Sequence, residues 1–299
     1  MLTRDNSYYT VATFLAIIAI FTILLCLIAI TQLLKKLRLH SNGLVKMDQI
    51  LLTGLCVSDV LLGTSGIYHS VCMFLTTLPP EKLLYAANYI SRFTLLSSLL
   101  HVVALTMERV LFVKFPFFHR SCCCCPRKAF IVGATIWISS VGLSVLQFTT
   151  LLKVLIPIII ICDVILISAY VYILKKMCLS LKRQASSRKM VQDKNVDKET
   201  FQKGRKATLV CLMVVASFIA CTTPPLVWII QHKHRFWGRF YIPQELEDYV
   251  MIIVLISKGA FDPLIYIFRR SIAKRVHWRK VSRTRQQTLT VREEADQML

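Results

Sequence analysis

A chain of 299 residues that is 55% hydrophobic and only 18% charged, with a mean hydropathy of +0.58, has too much apolar surface for a soluble domain with an ordinary exterior. Its formal charge of +21 would suit a nucleic-acid partner, but the basic residues sit in one set of connections between apolar runs, where topology and anionic lipid account for them. No nucleic-acid partner is expected, and the chain reads as a membrane protein.

Seven windows suit crossing helices of roughly 20 apolar residues each. The first, 6–34, carries no charge; it is too long for a cleaved leader and no small-residue cleavage site follows it. The second, about 49–74, contains Asp59, and the third, about 84–112, contains Arg92, Glu108 and Arg109. The fourth, 129–152, is again free of charge, and the fifth, about 154–174, contains Asp163. The sixth, 207–231, has no charged residue, whereas the seventh, about 249–268, holds both Lys258 and Asp262. The expected fold is therefore an all-α membrane protein, a seven-transmembrane helix bundle over 11–268, with a short segment 1–10 before it and a tail 269–299 after it. No internal repeat of the kind that builds many transporters is present.

Orientation follows from the basic residues. Lys35, Lys36, Arg38 and Lys46 lie in the first connection, and further runs fill 175–206 and the tail, while the opposite face holds Arg4, Lys82, Lys153, Lys233, Arg235 and Arg239. This predicts an extracellular amino terminus, a cytoplasmic tail and a multi-pass protein of the plasma membrane. The connection 175–206 is polar and is expected to be mobile; the break between the fourth and fifth spans is short. Among the cysteines only Cys72 lies near the outer face, so no extracellular disulfide framework can be drawn. Cys122, Cys123, Cys124 and Cys125 are consecutive, poorly placed around one tetrahedral metal, and are candidates for S-acylation.

The pair Glu108-Arg109 closes the third window at its cytoplasmic end, where water and a cytosolic partner reach it. Here "LTMERVLFVKFP" resembles the third-helix terminus of the rhodopsin-like (class A) G-protein-coupled receptors, with Val110 where their motif has tyrosine. "LCVSDVLLG" resembles their second-helix motif with its buried acid, Asp59; Trp137 and Pro157 suit the fourth and fifth helices. "FIACTTP" resembles the sixth-helix motif with Phe218, Cys221 and Pro224 in place, and "DPLIY" the seventh-helix motif with Asp262, Pro263 and Tyr266. "FRRSIAKRVHW" resembles the amphipathic helix that follows. The resemblance spans about 11–280, and motifs that are weak singly reinforce one another in this order. Departures accompany it. Thr222 replaces the sixth-helix tryptophan, Leu84 the usual outer cysteine, Ser91 the acid of amine receptors and Ile256 the lysine of opsins, and the first helix lacks its core asparagine.

Chemistry and resemblance meet in the polar core. An ionised carboxylate inside a membrane must find a partner or take up a proton. Lys258 precedes Asp262 by four residues, so the two share a face of the seventh helix, and Lys258 lies too deep to snorkel out to headgroups. An internal pair of Lys258 with Asp59 and Asp262 is expected. The resemblance implies that Ser98 joins them, in a pocket that often holds sodium and that the ammonium would fill here, and that Phe218, Thr222, Pro224, Pro263 and Tyr266 belong to the switch.

The resemblance further implies a receptor for an extracellular small-molecule or peptide ligand that opens a cytoplasmic crevice to a heterotrimeric G protein. It places Glu108, Arg109, Pro116 and Phe117 at that contact, with arrestin and a receptor kinase as later partners; Ser282, Thr284, Thr288 and Thr290 suit phosphorylation. No acid stands at the foot of the sixth helix, "FQKGRKATL", so no inter-helix ionic lock is expected and basal activity should be raised. Ser91 and Arg92, with the basic aromatic rim 232–240, are the ligand-contact candidates and favour an anionic ligand or an acidic peptide. No cofactor, metal or catalytic residue is called for. A rhomboid-type protease reading of "GTSG" (63–66) fails because Ser65 and His101 fall in opposite membrane halves. An ion- or proton-coupled transporter or channel using Asp59, Asp163, Asp262 and Lys258 is the rival reading.

Overall fold

In hydrocarbon an unmet backbone N–H or C=O has no water to turn to, so a span closes its hydrogen bonds within its own segment as a helix. The apolar windows do this in the computed structural model, which describes residues 6–39, 47–74, 81–115, 126–146, 152–187, 195–231 and 250–267. Among the described residues there are seven helices and no strand. They are α1 (Asn6–Leu39), α2 (Met47–Phe74), α3 (Glu81–Lys114), α4 (Pro126–Leu146), α5 (Leu152–Ser187), α6 (Asn195–Gln231) and α7 (Val250–Ile267). Six of them hold a stretch long and apolar enough to cross a membrane, and in α6 the apolar stretch among the described residues, Leu212–Trp228, is shorter.

The helices do not stop where the apolar windows stop. α5 runs on to Ser187 and α6 begins at Asn195, so most of the connection expected to be mobile is helical. Lysine, arginine, glutamine and glutamate end a membrane span but are good helix formers, which separates the two boundaries.

The side chains of α1 say what surrounds the protein. Ala12, Leu15, Ala19, Cys26, Ala29 and Leu33 are fully buried, while Phe14, Ile17, Phe21, Leu24 and Leu27 stand outward. Small residues facing a neighbour and large apolar ones facing away is the pattern of helices packed in lipid. On α4, Phe130 is 71% and Ile138 73% exposed; in water each would forgo burial worth about 1.5–3 kcal/mol, and in lipid it forgoes nothing. The chain is a multi-pass helical membrane protein.

α3 is the central helix. It packs on α2, α4, α5 and α6, and one apolar cluster containing Leu51, Leu99, Val102, Leu166, Val215 and Phe218 ties α2, α3, α5 and α6 together. Trp137 of α4 seats on α3, its ring centroid 5.5 Å from that of Phe93 and 5.9 Å from that of His101. α7 lies against α1, where Thr22 Oγ1 donates to the Ile256 carbonyl at 3.4 Å and Cys26 Sγ to the Gly259 carbonyl at 3.5 Å. α1 also holds α2, Ser70 Oγ donating to the Ala12 carbonyl at 2.7 Å.

Gly54 lets α2 and α3 approach. A Cβ placed there would come within 2.8 Å of His101 Cδ2 and meet two further atoms of the same ring. The imidazole cannot simply swing away, since its Nδ1 lies 2.7 Å from the Ser97 carbonyl and Trp137 packs on its edge. Gly54→Ala is expected to destabilise the protein by about 1–3 kcal/mol, the usual cost of overpacking, read as a lower thermal midpoint in detergent; an unchanged midpoint would show that this approach is looser than described.

Candidate functional site

The charged residues that sequence places inside the membrane gather at one level. Lys258, on α7, is completely buried, as are Asp59 of α2 and Asp262 of α7 to within a few per cent. Lys258 Nζ donates to Asp59 Oδ1 at 3.1 Å and to Ser98 Oγ of α3. It also lies 2.8 Å from Asp262 Oδ2, an ion pair one helical turn apart. Ser98 Oγ donates in turn to Asp59 Oδ1 at 3.5 Å. One ammonium therefore links three helices, and the backbone explains why: a lysine and an aspartate four apart in α7 share a stripe, and that stripe faces the groove between α2 and α3. Gly259 lets α7 pack closely on α1 and α2, since a Cβ there would stand 3.3 Å from Asp59 Cβ and 2.9 Å from Thr22 Cγ2.

α6 reaches the same cluster through two consecutive residues. Ser217 Oγ donates to Asp262 Oδ1 at 3.1 Å, and the Lys258 ammonium lies over the Phe218 ring, 5.2 Å from its centroid. Thr222 and Cys221 are buried on the same helix, Thr222 Oγ1 donating to the Phe218 carbonyl at 2.8 Å. Pro224 is exposed, whereas Pro225, unremarked in the sequence, is buried. Pro263 is buried beside Asp262, and Tyr266 packs with Cys26, Ala29, Leu33 and Cys56 between α1 and α2.

A second ionic site closes one end of α2 and α3. Arg109 Nε lies 2.9 Å from Glu108 Oε2, and Arg109 Nη2 donates to Asp48 Oδ2 at 2.7 Å. Both Glu108 and Arg109 are buried. Asp48, in the first turn of α2, was not among the expected site residues. It ties the arginine to a neighbouring helix, α2, an inter-helix ion pair where none was expected; the side chains at the foot of α6 lie outside the described residues. The position was readable. Asp48 precedes Asp59 by eleven residues and Arg109 follows Ser98 by eleven; on antiparallel helices both steps descend about 16 Å at 1.5 Å per residue.

A hydroxyl and imidazole chain fills the space between these two sites and around them. Ser58 of α2 and Ser97 of α3 lie 2.9 Å apart, and Ser97 Oγ is 3.4 Å from His101 Nδ1. Neither serine entered the sequence reading, because a buried serine has no pattern that separates it from a structural one. At the other end of α3, Ser91 Oγ lies 3.5 Å from His69 Nε2 of α2. Arg92 is half-buried, and among the described residues no ion pair joins it to an acid. Ser65 Oγ donates to the Leu62 carbonyl at 2.7 Å on its own helix, and His101 is engaged by Ser97, so neither is set up toward the other.

Pro116, Phe117, Cys122–Cys125, the rim 232–240 and the tail with its serines and threonines lie outside the described residues. Among the described residues no group of three metal-ligating side chains gathers. Compared with models of protein families and with curated protein sequences, the chain matches none.

Proposed function

We propose that the protein is a receptor of the rhodopsin-like G-protein-coupled class, crossing the plasma membrane seven times with its amino terminus outside and its tail in the cytosol. An extracellular ligand shifts the helices, the Arg109 end opens, and a heterotrimeric G protein docks there, with arrestin and a receptor kinase acting afterwards. The observation that carries this reading is the vertical alignment on α2 and α3: a charged core of Asp59, Ser98, Lys258 and Asp262 at mid-depth, and a buried Glu108–Arg109–Asp48 knot at one end. Such an arrangement has two discrete states available to it, because each ionic contact is either made or broken. Basic connections on the Arg109 side complement an acidic docking segment of the G protein.

The test is guanine-nucleotide exchange on G protein added to the purified chain in lipid, in the presence of pooled anionic metabolites and acidic peptides. Exchange above that of empty membranes is expected. Arg109→Ala should lower the stimulated rate about tenfold or more while the chain still reaches the cell surface. Exchange indistinguishable from empty membranes with every pool and every G-protein class would remove the reading. Transport is the rival, favoured by a further acid in a candidate span: Asp163 of α5 is buried and its Oδ1 has no hydrogen-bond partner among the described residues. Among those residues no ion pair or hydrogen bond joins it to the Lys258 cluster. Ligand-independent ion flux in proteoliposomes would favour that rival.

A further inference from the structure

The core cluster grips α6 unevenly. Ser217 touches it through one hydroxyl at 3.1 Å, a neutral donor to a carboxylate, whereas Phe218 presents the face of its ring to the ammonium at 5.2 Å. That ring is 1% exposed and the lysine beneath it 0%. A desolvated ammonium over an aromatic face is held by the negative quadrupole of the ring, and burial strengthens the attraction because no water competes for the charge. Phe218 also belongs to the apolar cluster shared by α2, α3, α5 and α6. One side chain thus joins the charged core to the apolar core.

We infer that Phe218 is a positioning residue that senses the Lys258 charge through its ring face and thereby holds α6 against α2, α3 and α7. Movement of the ammonium toward either carboxylate loosens α6, and movement of α6 away costs the ammonium one of its partners. This deepens the receptor reading and rests on it for its consequence, since α6 packs against α3, the helix that carries Arg109. The geometry alone carries the contact. Ordinary packing would keep Phe218 in place by shape; the inference says that its electron density matters as well.

The experiment separates shape from charge. Phenylalanine analogues bearing one, two and three ring fluorines are installed at position 218 of the full chain by stop-codon suppression; fluorine drains the ring face with little change in size. The thermal midpoint in detergent and the basal nucleotide exchange of added G protein are then measured. The midpoint should fall stepwise with fluorine number, and exchange should rise in the same order by about tenfold over the series. The series is repeated in a background with Lys258→Met, Asp59→Asn and Asp262→Asn together, where no buried charge is left unpaired, and there the slope should vanish. A midpoint independent of fluorine number, or the same slope in the neutral background, overturns the inference. Stepwise midpoints with no exchange from any variant or from the wild type leave the ring contact standing and overturn the receptor reading instead.

Discussion

Lys258→Met is expected to destabilise the protein by about 3–5 kcal/mol, the range found when one partner of a buried ion pair is removed. Among the described residues the buried ammonium touches Asp59, Ser98, Asp262 and the Phe218 ring. Methionine fills much of the same volume, so little of the loss comes from a cavity. It comes from two carboxylates, with side chains 0% and 1% exposed, left facing each other with no counter-charge. Against a total stability of about 5–15 kcal/mol, that loss removes a large fraction of the margin, measurable as a fall in surface expression and in the thermal midpoint in detergent. Adding Asp59→Asn and Asp262→Asn should restore most of the midpoint, since a cluster without charges no longer needs the ammonium. A Lys258→Met protein as stable as the wild type would mean that the ammonium does not occupy this cluster in the working protein.

The same cluster shows how much of the site could be read from residues alone. Lys258 and Asp262 four apart in an otherwise apolar run leave few physical options, because hydrocarbon forces a buried charge toward a partner and the helix repeat decides which partner is adjacent. Ser217 and Ser97 gave no such signal: a hydroxyl is tolerated almost anywhere in a helix by bonding back to its own backbone, as Ser217 does to the Val214 carbonyl at 2.8 Å. Asp48 was legible: its spacing to Asp59 places an acid level with Arg109, whereas the resemblance points to the sixth helix for the arginine's partner. The apolar windows located the membrane-crossing portions of the helices well and their ends poorly, since hydropathy reports the surroundings of a residue and helix propensity reports its backbone. The two diverge where α5 continues through lysine- and arginine-rich sequence to Ser187. The phase of Arg92 on α3 stayed open in the sequence because one residue has no periodicity, and a half-buried arginine is the structural outcome.

Asp48→Asn is expected to release the Arg109 end of α3. The carboxylate is 16% exposed and the guanidinium 8%, enough burial for a charge-assisted hydrogen bond of about 1.5–3 kcal/mol. Asparagine keeps the shape and one carbonyl acceptor but removes the charge, so most of that interaction should go while α2 stays folded. On the receptor reading the lost contact belongs to the closed arrangement alone, and basal nucleotide exchange should rise by about tenfold, the change produced by about 1.4 kcal/mol in a two-state equilibrium. Glu108→Gln serves as the control. Glu108 neighbours Arg109 on the same helix, so weakening that contact leaves the tie between α2 and α3 in place and should move exchange much less. Should Asp48→Asn and Glu108→Gln raise exchange equally, the acid on α2 is no more than one local counter-charge among others; should neither move it while Arg109→Ala abolishes stimulated exchange, the arginine acts on the G protein directly and the tie to α2 does not govern opening.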